Sequence, residues 1–562
     1  MSSIDCGGYI SEISLNDGKR VDVRKNDIVL FVGPNNAGKS QALRDIYSIS
    51  GNGENGIVIK DVHIQKYTTP IKTLLDRISV GQKSHGRDFY HVLGKQYSFD
   101  ESTNSYYQEV AHYWAYRDLF VSNLNTEARL SICMPAANIP RNTPKDNPIH
   151  YAAFEGKYRK WLSESFQKAF KESLIPNTNH GGNIPLCIGE PVKLEDKYDD
   201  EQSRQEAYAE ILDGYKQVQD QGDGIKSFTG ILLYLMMDHF CTYLIDEPES
   251  FLHPPQARIM GQIIGETLRD NQQAFISTHS EEIIKGLLET CPERLKIIRI
   301  TRDKDVNHFS ILSNDKLRLV WSDPLLKHSE IMTGLFHETV VLCESDSDCQ
   351  MYSIMDSYLK QAEGKYSETL FLHCGGKQRM AKIITALRSI DILVKVITDF
   401  DVLNDESVIK GIAVACGISW DNVSKDYSIF ISNLHCKNDT INRNNAFSSI
   451  KSIFEGSKNT SLSKEEIKRI HEVIATESIW SLLKKSGKSA LPAGDATGAF
   501  NRFNQAFVSA GLFIVPCGEL ECFIKEVGGH GPVWVNSVLE KYPEFGNPVY
   551  GDLLQFVKEL NI

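Results

Sequence analysis

The stretch Gly33-Pro34-Asn35-Asn36-Ala37-Gly38-Lys39-Ser40 decides how the first half of this chain is read. It fits the spacing GxxxxGK[ST], and it stands between Ile28 to Val32, an unbroken apolar run of buried-strand type, and a stretch of helical character. Glycines in such a loop let backbone N–H groups wrap phosphate oxygens, Lys39 neutralises the β and γ phosphates, and the Ser40 hydroxyl holds Mg²⁺. Asn35, Asn36, Gly38, Lys39, Ser40 and Gln41 are therefore the expected ATP-binding set.

A chance glycine loop would have no partner motif, and this one has a partner. Tyr243-Leu244-Ile245-Asp246-Glu247-Pro248 is an apolar strand that delivers two adjacent carboxylates to a sheet edge. Asp246 is expected on Mg²⁺, through water, and Glu247 is expected to polarise the attacking water as a catalytic residue. Acidic residues after a strand are commonly a solvated turn. Here Thr278-His279-Ser280 follows a further short strand, Ala274 to Ile276, which lets His279 reach the γ-phosphate.

Upstream of the loop, Tyr9 to Leu15 and Val21 to Val23 flank a turn at Asn16-Asp17-Gly18, so the chain opens β-rich. Residues 60–225 read as a helical and irregular insertion, with Pro140, Pro144 and Pro148 in loops and a helix from Trp161 to Phe170. Apolar periodicity returns at Gly230 to Met237. The first module spans residues 1–310, residues 311–335 form a connector, and 336–562 form a second module. Its strands are Thr339 to Cys343, Leu370 to Leu372, Leu393 to Thr398 and Leu512 to Val515, with helices between them, as in a parallel α/β sheet.

Composition sets the outer bounds. The chain has 562 residues, 41% hydrophobic and 24% charged, which suits a soluble protein of two to four domains. A formal charge of −12 repels a polyanion, which argues against a generic DNA-coating protein, and any nucleic acid must meet a local basic or metal-bearing surface. The 12 cysteines show no CxxC spacing and read as reduced thiols. Neither a basic segment followed by an apolar run nor a long apolar stretch is evident, so the expected location is cytoplasmic.

The second module carries three acidic clusters at strand ends. Glu344 follows the strand Thr339 to Cys343, and Asp348 comes four residues later, so a helix starting there would put both carboxylates on one face. Like charges at that spacing repel unless a divalent cation sits between them. Asp399 and Asp401 end the strand Leu393 to Thr398 and alternate onto one side of an extended segment. Glu519 and Glu521, in Gly518-Glu519-Leu520-Glu521, follow the last strand. Each cluster alone is commonplace, and together they suit a two-metal arrangement in which Glu344, Asp399 and Asp401 are catalytic and Asp348, Glu519 and Glu521 complete a second site for Mg²⁺ or Mn²⁺.

The first set of motifs resembles the ABC-type ATPase heads of the Rad50, SMC and OLD (overcoming lysogenization defect) families. Leu252-His253-Pro254 is similar to their D-loop and His279 to their switch histidine. Gly224-Ile225-Lys226-Ser227-Phe228-Thr229-Gly230 stands where that class keeps its signature motif, and departs from LSGGQ. Such heads bind ATP between two protomers, so the resemblance implies a homodimer, or a tetramer built from it, in which Ser227 meets the partner's nucleotide. Glu after one strand and Asp-x-Asp after a later one, with Gly375-Gly376 between, resembles the TOPRIM pattern.

ATPase first and TOPRIM last is the OLD-family layout. It implies an α/β chain with an ABC/SMC-like head and a Rossmann-like TOPRIM domain, acting as an ATP-regulated DNA endonuclease in defence against phage. A helicase, as in Gabija, or a reverse transcriptase with its non-coding RNA, as in retrons, would be the partner. OLD nucleases also use a lysine near their metals, for which Lys488 and Lys541 are the candidates. The competing class is an SMC-like clamp whose TOPRIM domain only holds a partner, but no sustained heptads lie between the phosphate loop and Asp246.

Overall fold

The computed structural model describes residues 6–79, 81–84, 87–192, 200–304, 306–312, 323, 330–434, 443–456, 461–474 and 479–561. It divides into two compact units, Met1–Lys327 and His328–Ile562. Most of the expected connector, 313–322 and 324–329, lies outside the described residues, and its last part, Glu330–Phe336, is a 3₁₀ helix.

The first unit is organised on a six-stranded sheet. From edge to edge it runs Val306–Leu312, Leu295–Asp303, Ile28–Val32, Gln273–Ser277, Thr242–Asp246 and Val121–Leu124. All neighbours are parallel except the first pair, which is antiparallel. Ile28–Val32 is buried at every residue, as an apolar run of strand length in a parallel sheet must be. Gln273–Ser277 lies between it and Thr242–Asp246, with Asp246 opposite Ser277 and Ser277 opposite Phe31. The phosphate loop and the acidic pair thus emerge from the same sheet edge with Thr278-His279 between them, where an open parallel sheet places its ligands.

The helix Lys39–Asn52 begins at Gly38, whose φ of 103° is left-handed, and stops at Gly53, also left-handed, whose N–H returns to the Ile49 carbonyl. Ala42, Leu43, Ile46 and Ile49 form its buried face. Gly33 has φ 139°, and a Cβ there would lie 1.9 Å from the Ile300 carbonyl oxygen. Gly33→Ala must move backbone, so it is expected to lower the unfolding free energy by about 3 kcal/mol. Thermal unfolding without nucleotide measures this, and an unchanged midpoint would show that the loop yields freely.

The stretch expected to be helical and irregular differs from that reading. Val121–Leu124 is an edge strand of the central sheet, Ile59–Lys66 pairs antiparallel with Gly8–Leu15, and two further three-stranded sheets occur, one of them the meander over Gln82–Ser84, Arg87–Val92 and Lys95–Phe99. These strands are short and mixed in polarity, so period-2 alternation is too brief to register. The helix Gly156–Phe170 is present as expected.

The second unit holds a four-stranded, wholly parallel sheet in the order Thr369–His373, Thr339–Cys343, Leu393–Thr398, Leu512–Ile514. Every residue of Thr339–Cys343 is buried, as a central strand requires. Fully buried Met351, Tyr352, Trp534, Val535 and Val538 share its core. Among the described residues, no helix is long and apolar enough to cross a membrane.

Candidate active sites

A cavity of about 1150 Å³ opens over the phosphate loop, lined by Asn35, Asn36, Gly38, Lys39, Ser40 and Gln41 together with Asp246, Glu247 and His279. Asn35, Asn36 and Gly38 come from the loop after one strand, Lys39, Ser40 and Gln41 from the helix that follows it, Asp246 from the end of a second strand, and Glu247 and His279 from the loops after two strands. Lys39 is 5% exposed, and its Nζ donates to the carbonyls of Gly33 (3.0 Å) and Pro34 (2.7 Å). The Ser40 hydroxyl donates to Asp246 Oδ1 at 2.8 Å, and the Ser277 hydroxyl donates to the same oxygen. An oxygen pair from the loop and the acidic strand is the donor chemistry that a hard divalent cation takes.

Glu247 has φ 48°, a left-handed conformation uncommon for a residue with a side chain, and its N–H donates to the Ser277 carbonyl at 3.0 Å. The fully buried Arg129 holds this turn from behind, its Nη1 donating to the carbonyls of Asp246 and Glu247 (3.2 Å). His279 Nε2 lies 3.6 Å from Glu247 Oε1. Arg129 was not anticipated from sequence, because nothing in Thr126–Ser131 marks an arginine that folds inward.

Glu249 is a further unforeseen member. Its Oε1 accepts from the His279 N–H (2.6 Å) and the Thr278 hydroxyl (2.9 Å), while Oε2 is enclosed without a hydrogen-bond partner among the described residues. Burial pushes this carboxyl up to about 7. A carboxyl raised in the folded state contributes stability below its unfolded value near 4.5, and that contribution is lost as pH rises through 7. Glu249→Gln keeps the two acceptor contacts but cannot ionise. Its stability relative to wild type is therefore expected to rise by up to about 3 kcal/mol between pH 4.5 and 8. Thermal unfolding across that range reads this out, and a pH-independent difference would mean the carboxyl is not perturbed.

The signature-like segment opens the helix Asp223–Leu235. Ser227 is fully buried in it, and Gly230 packs so closely that a Cβ would lie 2.2 Å from the Arg129 carbonyl oxygen. The Ser227 side chain therefore does not present itself to a nucleotide on a neighbouring protomer, contrary to the expectation. Its hydroxyl sits on the inner face of the helix, and only Gly222 and Asp223 at the helix start are exposed.

In the second unit, Glu344, Asp399 and Asp401 converge at the C-terminal ends of two adjacent strands, with one carboxylate oxygen from each lying within 4.8 Å of the others. The Asp399 N–H donates to Glu344 Oε1 at 3.1 Å. Burial raises Glu344 to about 7, with Asp401 and Asp348 adding to the effect, and burial next to Glu344 raises Asp399 as well. Carboxyls pushed toward the neutral form by each other's proximity are those a cation would relieve. Three oxygen donors suit Mg²⁺ or Mn²⁺.

Asp348 does not share a helix face with Glu344 as expected. The helix Asp346–Ala362 starts only after the N-cap Ser345, and Glu344 belongs to the strand end. Asp348 is the third residue of that helix, and its Oδ2 accepts from the Ser345 N–H at 2.9 Å in a capping box. Its electrostatic neighbours are Glu521 and His530.

Glu519 and Glu521 form a second group, and His530 completes it, with ligand atoms again within 4.8 Å of one another. His530 Nδ1 is 2.6 Å from Glu521 Oε1, and the Gly531 N–H donates to the same oxygen at 2.7 Å. His530 lies in the glycine-rich run Gly528-Gly529-His530-Gly531, where no ligand spacing marks it. The lysines beside the carboxylates are Lys377, 2.9 Å from Asp401, and Lys484, 3.3 Å from Glu519. Of the two lysine candidates named from sequence, Lys541 has its ammonium at the Glu526 carbonyl and over the Tyr542 ring, and Lys488 belongs to the short 3₁₀ helix Gly487–Ala490.

Comparison with known proteins finds a family match in each of the two units. Residues 160–285 match the AAA domain family AAA_21, and residues 335–401 match the overcoming lysogenization defect protein-like TOPRIM domain. A 69-residue stretch is 38% identical to an uncharacterized protein of Methanocaldococcus jannaschii, covering 12% of this chain and 60% of that protein. Among solved structures, the Smc head domain of Pyrococcus furiosus bound to the C-terminal domain of ScpA covers 56% of this chain and 99% of its own, at 13% identity and a TM-score of 0.34. The SMC head of Thermotoga maritima covers 56% and 100% at 10% identity and 0.28. The assignment rests on the two family matches and on the motifs in their sheets: the chain joins an AAA-type ATPase domain to an OLD-like TOPRIM domain, the domain order of the OLD-family ATPase–TOPRIM nucleases.

Proposed function

We propose that this protein is an ATP-regulated, divalent-metal-dependent endonuclease that cleaves DNA phosphodiesters as an effector of anti-phage defence. The observation that carries the reading is the convergence of Glu344, Asp399 and Asp401 from two neighbouring strand ends, with Glu519, Glu521 and His530 as a second ligand group in the same unit. Glu344, Asp399 and Asp401 would hold one Mg²⁺ or Mn²⁺, and Glu519 and Glu521, with Asp348 near them, would hold another. When bound, such ions lower the pKa of water and neutralise charge on the phosphate. Lys377 orients Asp401, and Lys484 is placed beside Glu519 to meet the scissile phosphate. No protein nucleophile is required.

In the ATPase unit, Lys39 and the loop N–H groups bind the phosphates, Ser40 and Asp246 hold Mg²⁺, Glu247 orients water, and His279 faces the γ-phosphate. Nucleotide binding joins two protomers through these heads, and a tetramer follows if the second units also pair. A helicase or a retron reverse transcriptase would supply the trigger. The test is plasmid nicking by the purified full chain in Mg²⁺ or Mn²⁺, with and without ATP and with its genomic neighbour supplied. Failure to cleave DNA or RNA under all these conditions would replace the nuclease with the SMC-like clamp.

A further inference from the structure

The nucleotide cavity has a side that the phosphate chemistry leaves unused, where it is lined by Asn16, Ile57, Val58 and Asn307. Ile57 keeps 66% of its surface exposed there, an apolar side chain at the wall of a polar cavity. It is not a loose loop residue. Asp45, 5% exposed on the helix that follows the phosphate loop, accepts from the N–H groups of Ile57 (3.0 Å), Val58 (2.6 Å) and Ile59 (3.0 Å). Val58 in turn lies against the phosphate loop, since a Cβ on Gly38 would meet Val58 Cγ2 at 3.0 Å. Ile57 is therefore fixed beside the loop that carries Lys39.

A directed chain of amides runs alongside. Asn307 Nδ2 donates to the Ala37 carbonyl at 2.7 Å, and Asn16 Nδ2 donates to Asn307 Oδ1 at 3.0 Å and to the Ile57 carbonyl at 3.1 Å. Backbone carbonyls only accept, so the orientation of both amides is settled by their partners rather than chosen. Both N–H groups of Asn16 are thereby spent. Its Oδ1 accepts from no group among the described residues, which leaves a held acceptor in the cavity wall next to an apolar platform.

We infer that Ile57 and Asn16 form a base subsite that selects adenine nucleotides, with Ile57 packing on the purine face and Asn16 Oδ1 accepting from the exocyclic amine. This rests on the phosphate-loop reading above. Guanine presents a carbonyl where adenine presents that amine, so two acceptors would face each other. A polar site left unpaired in this way rejects the wrong ligand more strongly than an apolar wall could.

The experiment is titration calorimetry on the full chain with Mg²⁺ and four ligands: ATP, GTP, purine riboside triphosphate, which lacks the amine, and inorganic tripolyphosphate. Wild type is expected to bind ATP about tenfold or more tightly than GTP or the purine riboside analogue. Ile57→Ser is expected to weaken ATP about fivefold while leaving tripolyphosphate unchanged, because one exposed aliphatic platform is lost. Equal affinity for ATP and GTP, or undiminished ATP binding by Ile57→Ser, would overturn the inference. So would a parallel loss of tripolyphosphate, which would make Ile57 a prop of the phosphate loop. If wild type binds neither ATP nor tripolyphosphate, the phosphate-loop reading itself fails, a result distinct from the other three.

Discussion

Glu344→Ala and Asp399→Ala are each expected to lower metal-dependent plasmid nicking by about 100-fold or more, since losing even an outer-shell partner of a metal site costs 10–100-fold. ATP affinity should be unchanged, because these residues and the phosphate loop belong to different compact units. The two carboxyls are buried beside each other, and burial pushes both upward, with Asp401 and Asp348 adding to the rise of Glu344 and Glu344 adding to that of Asp399. Removing one relieves a like-charge contact, so without metal each variant should be at least as thermally stable as wild type near pH 8. That separates loss of chemistry from loss of fold. Added Mn²⁺ should raise the unfolding temperature of wild type and leave both variants nearly unmoved. Normal cleavage by both variants would remove the nuclease assignment.

Much of this arrangement was legible because its residues sit at the ends of apolar strands. Ile28 to Val32, Cys241 to Ile245, Thr339 to Cys343 and Leu393 to Thr398 are runs whose lengths and flanking residues fix both the strand and the point where it stops. The acidic residue that follows is then placed at a sheet edge by covalent continuity alone. What stayed hidden depends on contacts across the chain. Arg129 reaches the Asp246 and Glu247 carbonyls from a six-residue helix far from them in sequence, and Asn307 meets Ala37 from an edge strand. His530 joins Glu521 from a glycine-rich turn with no periodicity. Two expectations failed for local reasons. A single N-cap residue displaced Glu344 from the helix that carries Asp348, and the phase of the helix Asp223–Leu235 turned Ser227 inward. Strand and helix boundaries are where sequence periodicity is weakest, and a shift of one residue changes which face a side chain occupies.

Lys39→Ala is expected to weaken ATP binding by about 100-fold or more. The buried ammonium donates to the Gly33 and Pro34 carbonyls of its own loop. Phosphate oxygens would replace those neutral acceptors with charged ones, and the gain per charge-assisted hydrogen bond is about 1.5–3 kcal/mol. Two such bonds give about 3 kcal/mol or more, which corresponds to about 100-fold in the dissociation constant. Lys39→Met, which keeps most of the side-chain volume, should show the same loss and so exclude a packing defect as its cause. Both variants should bind Mn²⁺ in the second unit as wild type does, because Glu344, Asp399 and Asp401 owe nothing to the loop. If ATP governs cleavage, nicking by these variants should become indifferent to added nucleotide, while Glu247→Gln, which leaves the phosphate contacts intact, should still bind ATP and hold whichever cleavage state the bound nucleotide imposes. Equal ATP affinity in wild type and both Lys39 variants would mean that Gly33 to Ser40 is not a phosphate loop.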